Sequence, residues 1–298
     1  MRPLRLLTPS FALLTALAAP LAHAEEGGEP LRGNPFLGTS NNFGVEVGVG
    51  LSGNEDVDLL SIQPTLSARF RVAESLGIQV VLPMMFVDLS SDTGGDNRFE
   101  LGNPTIAAEF ILDQNGMAAT FVRAGVALPL VSFPDSVGSL DELGDVFLQA
   151  ANIAMAAGSR GYFDLWRYAP DRLSIFGEIL GATDYDSLFM EFGAGAGLLI
   201  PTSDQADTEV VLQARARLGY GAVVKPFLGI GLVFIPTETE GLSGDEDAFQ
   251  FSVQAGAIIK VGEARIEAAL NLNIDKPAGF SFDDDGVFGI RVGAQIPF

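Results

Sequence analysis

Cysteine is absent from the chain, and histidine occurs once, as His23. Without cysteine there is neither a disulfide framework nor a thiol nucleophile. Residues 1–24 read as an export signal. Arg2 and Arg5 form a basic n-region, Leu6 to Leu17 an apolar run, and Ala22-His23-Ala24 a small-x-small cleavage site. His23 leaves with that segment, so the mature chain lacks a Ser-His pair and any zinc site built on His or Cys. Basic residues are scarce as well. With Arg2 and Arg5 gone, 15 Lys or Arg face 38 Asp or Glu, a net charge of −23, which argues against nucleic acid as a partner. The last absence is a long apolar run. Mean hydropathy is +0.31, yet beyond the signal no 18-residue stretch is apolar enough to span a membrane as a helix.

The apolar residues are instead spread by alternation. In residues 286–298, Phe288, Ile290, Val292, Ala294, Ile296 and Phe298 share one parity, and Gly289, Arg291, Gly293 and Gln295 share the other. A strict period of two is a strand with one apolar and one polar face. After a Gly- and Asn-rich lead-in over 25–42, the pattern recurs. Strands are expected at 43–51, 60–72, 76–87, 98–112, 118–130, 173–180, 188–200, 209–220, 227–235, 249–259 and 264–274, and the terminal one makes twelve. In the fourth the apolar parity switches at Asn103-Pro104, where a bulge belongs.

Strand pattern stops over residues 131–171. Ser139-Leu140-Asp141-Glu142 is a capping box, and Leu143, Val146, Phe147, Ala150, Ile153 and Ala154 follow helical spacing, so an amphipathic helix is expected over 140–157. The connections sort by parity. Six long ones, at 52–58, 88–97, 132–171, 201–207, 237–247 and 275–285, hold 23 acidic and three basic residues, whereas those between them are short turns. A soluble sandwich has no reason to sort its connections this way. The fold class expected is all-β, a transmembrane antiparallel barrel of about 12 strands over 43–298, carrying one helix in its third long loop. Its expected place is the outer membrane of a Gram-negative cell, with lipid as its surroundings and the long loops outside.

Fifteen charges fall on the second parity: Glu46, Arg69, Arg71, Glu100, Glu109, Arg123, Glu178, Glu191, Glu209, Arg215, Arg217, Lys260, Arg265, Glu267 and Arg291. Facing lipid, each would cost up to about 2–4 kcal/mol at mid-bilayer, so they are expected to line the lumen. Eight bases against seven acids imply ion pairing rather than a field of one sign. Glu178 and Glu191 have the chemistry of an acid–base pair, but barrel lumens hold such residues routinely, and no enzyme is expected. Asp245-Glu246-Asp247 and Asp283-Asp284-Asp285 lack the spacing of a calcium loop and read as solvated loops. No metal or cofactor is expected.

Two resemblances add to this. The terminal Phe298 is similar to the assembly signal of outer-membrane barrels, which implies the barrel-assembly machinery as a partner. Residues 71–130 carry Leu76 to Pro83, then Leu101-Gly102-Asn103-Pro104-Thr105, then Val126-Ala127-Leu128-Pro129. They resemble a family of outer-membrane barrels of the transporter, or meta-pathway of phenol degradation, type. Asn103-Pro104 departs from that family, which usually has an aspartate there. The resemblance implies passage of small, hydrophobic or aromatic solutes. The alternative is a non-conducting barrel that displays its acidic loops. The helix is expected to cap the outer mouth, because a charged lumen suits an apolar stripe poorly. Phe147, Tyr162, Phe163, Trp166 and Tyr168 would then form the gate and meet the solute first.

Overall fold

The computed structural model describes residues 41–53, 57–91, 94–114, 117–134, 139–185, 187–202, 207–236, 249–274, 281 and 286–298. The export signal, the lead-in up to residue 40 and both acidic triplets lie outside the described residues.

Thirteen strand segments form one antiparallel sheet closed on itself. They are β1 (Asn42–Gly53), β2 (Val57–Ala73), β3 (Leu76–Ser91), β4 (Gly94–Leu101), β5 (Thr105–Gln114), β6 (Ala118–Ala127), β7 (Arg172–Tyr185), β8 (Leu188–Pro201), β9 (Glu209–Tyr220), β10 (Val224–Phe234), β11 (Phe249–Val261), β12 (Ala264–Asn273) and β13 (Phe288–Pro297). Consecutive segments pair throughout except at β4 and β5, and β1 meets β13 over a register running from Asn42↔Pro297 to Leu51↔Phe288. Closing β13 on β1 pairs the backbone N–H and C=O groups along that seam, as a membrane demands, while β4 is laddered to β3 alone among the described residues. β4 and β5 both pair with β3 and share one position in the wall, so the barrel has twelve strands, as expected. The break between them is Gly102-Asn103-Pro104, where the parity switched.

The outer parity is apolar all round. Ile175, Ile179, Met190, Phe192, Leu198, Leu212, Leu218, Leu228 and Ile230 are exposed on β7 to β10, a continuous surface that only lipid can cover. Tyr185 and Tyr220 sit at the ends of β7 and β9 next to the tight turns and are exposed there. Such amphipathic rings suit the level of the lipid headgroups. Phe298 packs its ring edge-to-face on Phe70 at 5.9 Å, and its N–H donates to the Asn41 carbonyl at 3.3 Å.

Two of the six long connections prove to be largely strand. β1 continues to Gly53 and β2 begins at Val57, and β3 reaches Ser91 with β4 resuming at Gly94. Of the expected loops at 52–58 and 88–97, residues 52–53, 57–58, 88–91 and 94–97 are strand. The charged and polar residues there alternate in strand register (Leu59↔Leu89, Asp58↔Ser90), and solvent-facing strand looks like loop to a composition count.

The long insert leaves β6 at the end of the barrel opposite the tight turns, here termed the loop end. Its helix α1 (Leu140–Gly158) is capped at Ser139, whose hydroxyl accepts from the Glu142 N–H at 3.2 Å. Beyond α1 the chain coils tightly. The described non-glycine residues with positive φ are Tyr162, Asp164 and Asp171, all in the insert or its exit. Aspartate tolerates that region, but Tyr162 is held there by its surroundings.

Candidate functional site

The insert does not cap the rim. It folds inward and fills the loop-end half of the lumen, which corrects the expected placement. Phe163, Leu165 and Trp166 join Ala107, Ala127, Phe176, Leu199, Val211 and Val233 of the inner wall in one apolar cluster, with Trp166 stacked on Phe176 at 4.8 Å. Tyr168, Ile153 and Ala156 pack on Met85 and Val131 in another. Phe163, Trp166 and Tyr168 are 5%, 1% and 0% exposed, so they cannot serve as a first contact for solute. The physical reason is that the lumen is not charged throughout. Val81, Met85 and Val87 face inward on β3 and are buried, so this strand is apolar on both faces. An inner wall of that kind accepts an apolar insert. Glycines complete the fit: a Cβ at Gly289 would lie 2.0 Å from the Ser159 carbonyl oxygen, and one at Gly231 2.4 Å from the Phe163 ring.

The helix face was misassigned in part. Leu143, Phe147 and Ala150 are exposed, whereas Leu148, Asn152, Ile153 and Met155 to Ala157 are buried. Tyr162 is partly buried against the first cluster.

Below the insert, toward the tight turns, lies a cavity of about 230 Å³. Nine of the fifteen inward charges line it: Glu46, Arg69, Arg123, Glu191, Arg215, Arg217, Arg265, Glu267 and Arg291. Arg160, Asp164 and Arg167 of the insert line it too. The charges are wired in chains. Arg69 meets Glu109 at 2.5 Å, Glu109 meets Arg123 at 2.8 Å, and Arg123 meets Glu178 at 3.0 Å. Gln213 donates from Nε2 to Glu178 at 2.9 Å and to Asp164 at 3.3 Å, and Asp164 pairs with Arg167 at 2.8 Å. Arg217 and Arg265 bind both Glu191 and Glu267 across 2.8–3.4 Å. Glu46 holds Arg160 of the insert and, at 3.6 Å, Arg291.

The remaining inward charges lie away from the cavity. Glu109 and Glu178 stand behind its wall. Glu209 pairs with Arg172 at 2.6 Å near the loop end, and Glu100 with Arg98 at 2.8 Å. Lys260 reaches Asp184 at 2.6 Å near the tight turns, where Asp184 also holds Lys225. Arg71 donates to the Glu74 carbonyl at its own turn.

Sequence reasoning missed Arg160, Asp164, Arg167, Arg172, Asp184 and Lys225. Asp184 and Lys225 were lost by ending one strand at Leu180 and starting another at Phe227. Extending the first strand by four residues and starting the second two residues earlier finds both. Arg160, Asp164 and Arg167 carry no periodic signal, because only the inward turn of the insert brings them to the lumen.

Asp164 is the charged hinge of this arrangement. Burial opposes its ionisation, but Arg167, Arg215, Arg160 and Arg123 together outweigh burial and hold its carboxyl below the usual aspartate range. A depressed carboxylate contributes stability that is complete above its unfolded value, 3.8, and is lost as pH falls through the folded value. Protease resistance of the insert is thus expected to hold down to about pH 4 and to decline only below it. Asp164→Asn should abolish that acid dependence. An unchanged acid profile in Asp164→Asn would assign the transition to another carboxylate.

No protein-family model matches the chain, and no curated protein matches it in sequence. Solved structures do. An outer membrane channel from Pseudomonas putida superposes with a TM-score of 0.56 over 93% of this chain and all of its own, at 12% identity. The fold is that of outer-membrane β-barrels. The NanC porin matches with a TM-score of 0.49, at 6% identity over 85% of this chain and 100% of its own. The translocator domain of the autotransporter NalP from Neisseria meningitidis matches with a TM-score of 0.46, at 11% identity over 97% of this chain and 94% of its own. The resemblance read from residues 71–130 is thereby borne out as a likeness of fold.

Proposed function

We propose that this chain is an outer-membrane channel for small solutes, with the insert as its gate, the loop end outside the cell and both termini in the periplasm. The observation that carries the reading is the charged cavity inside the barrel, lying directly under a plug that forms its ceiling. A purely structural barrel gains nothing from an interior void lined by ion pairs, since filling it with packed side chains would stabilise it more. The outer apolar belt supports lipid as the surroundings of the wall.

The hydrophobic or aromatic solutes implied by the family resemblance find less support. Phe163, Trp166 and Tyr168 are consumed in packing, and the cavity wall is mostly charged or polar. The second reading, a non-conducting barrel that displays its acidic loops, is favoured by the tight packing of Trp166 and Tyr168. Purified protein in planar bilayers separates the two. Discrete conductance steps are expected, and their absence at every voltage in protein shown to be folded leaves the display reading in place.

A further inference from the structure

We propose that the cavity is an oxyanion site, which takes the carboxylate or phosphate group of a small solute on Arg215, Arg291, Arg160 and Arg167. The proposal rests on the channel reading and names the solute class of that same lumen.

The charge balance around the cavity runs opposite to that of the chain. Eight arginines and four carboxylates line it. Counting Glu109 and Glu178 behind the wall, six carboxylates face eight guanidiniums, an excess of two positive charges in a chain of net charge −21. The acids are already engaged: Glu46 by Arg160 and Arg291, Asp164 by Arg167, Glu191 and Glu267 by Arg217 and Arg265. What is left over is donor capacity. Arg215, half-buried, makes no ion pair or hydrogen bond among the described residues, and it acts on Asp164 through a longer-range field. Arg291 is 8% exposed, and its Nε and Nη2 have no partner. The Nε atoms of Arg160 and Arg167 are also unpartnered. The unpartnered carboxylate oxygens in the barrel, on Glu100 and Glu209, do not line the cavity.

The buried donors without acceptors on Arg291, Arg160 and Arg167 are costly and call for a missing partner, beside which the half-buried Arg215 stands free to join. Water supplies an acceptor but not the charge. An oxyanion supplies both, and the flat guanidinium fork matches the two oxygens of a carboxylate or phosphate. At ~30 Å³ per water, the cavity has room for roughly eight waters, which suits a small organic acid and excludes a polymer. Phe121, with the Arg69 and Arg123 guanidiniums each 5.9 Å from its ring centre, and Leu180 give the remainder of such a molecule an apolar wall.

The test uses the full-length protein in planar bilayers under a KCl gradient. The reversal potential is expected to have the sign of chloride over potassium, and Arg215→Gln to move it toward zero. Benzoate and inorganic phosphate are added in turn, with benzyl alcohol as the uncharged control. One or both anions should reduce single-channel current, benzyl alcohol should not, and Arg215→Gln should raise the half-blocking concentration about tenfold, the worth of one charge-assisted hydrogen bond. Block by benzoate alone assigns carboxylates, and block by phosphate alone assigns phosphates. A cation-selective channel, or anion block unchanged in Arg215→Gln, overturns the site while leaving the channel intact. Arg215 has no partner to lose, and heat-modifiable mobility verifies that the variant is folded. If no conductance is found the channel reading falls, and isothermal titration of benzoate and phosphate into the detergent-purified protein then decides the site alone. Binding that Arg215→Gln abolishes supports it, and no binding overturns it.

Discussion

Replacing residues 138–160 with a short Gly-Ser link is expected to raise single-channel conductance severalfold. The segment contains α1 and Arg160, one of the three insert residues that line the cavity, and its loss frees the turn that carries Asp164 and Arg167. Gln63 donates to the Met155 carbonyl at 3.4 Å and accepts from the Ser159 hydroxyl at 2.6 Å, so the end of α1 is held to β2 across the lumen. Arg160 ties the same region to Glu46 on β1. Without these contacts, what remains over Phe163 to Trp166 is held only by the apolar cluster, and water and ions are expected to pass it more readily. The barrel wall is closed by its own ladders and is expected to stay folded. Deletion alone does not show that the insert moves in the intact protein, and a crosslink addresses that. A Cβ at Gly50 would lie 3.1 Å from the Ser159 Cβ, slightly under the usual disulfide spacing of about 3.5–4.5 Å. The chain has no cysteine of its own, so Gly50→Cys with Ser159→Cys gives one unambiguous bridge. Oxidation should suppress opening, and reduction should restore it. Opening that is equal in the oxidised and reduced protein would show that the insert is a fixed plug and that solute passes by another route.

The second large effect is expected at Asn103, which is fully buried. Its Nδ2 donates to the carbonyls of Trp166 at 3.2 Å and Ala169 at 2.7 Å. Its Oδ1 accepts from Leu130 and Val131, both at 2.9 Å, and its own N–H donates to the Arg167 carbonyl at 2.7 Å. One side chain thereby joins the break in the wall to both limbs of the insert, with every hydrogen-bonding position of its amide in use. Asn103→Ala orphans the buried Val131 N–H and the Trp166 and Ala169 carbonyls at about 1–3 kcal/mol for each that finds no water, while the Leu130 N–H keeps the Leu128 carbonyl at 2.9 Å. A loss of at least ~2 kcal/mol in the anchoring of the insert is expected, read as earlier proteolysis between 139 and 171 and a lower temperature of heat-modified mobility. Asn103→Asp is the sharper variant. It keeps the two acceptor contacts but sets a carboxylate against two carbonyl oxygens, so it should be nearly as damaging as alanine. A neutral Asn103→Asp would mean that the anchoring comes from the apolar clusters and not from this amide.

Much of the architecture follows from alternation in the chain. A period of two says which side chains face lipid, so the wall, the strand count and most of the inward charges were legible, while Arg172, Asp184 and Lys225 were missed where the strands ran beyond the expected bounds. The break at Asn103-Pro104 was legible for the same reason, as a change of parity, and the helix start at Ser139 was written in a local capping motif. The contents of the barrel were not legible. Parity separates inside from outside but says nothing of height along the axis, and that is set by register between strands. Only the closed sheet brings Met85, Phe176, Leu199, Val211 and Val233 to the loop-end half of the inner wall, where they accept Phe163, Trp166 and Tyr168 and draw the insert inward. The same closure sets Arg160, Asp164 and Arg167 among arginines from β9 and β13 that lie far away in the chain. A cavity with more guanidinium than carboxylate therefore arises in an acidic protein from three-dimensional position, because a charge acts over a few ångströms of space and not along the sequence.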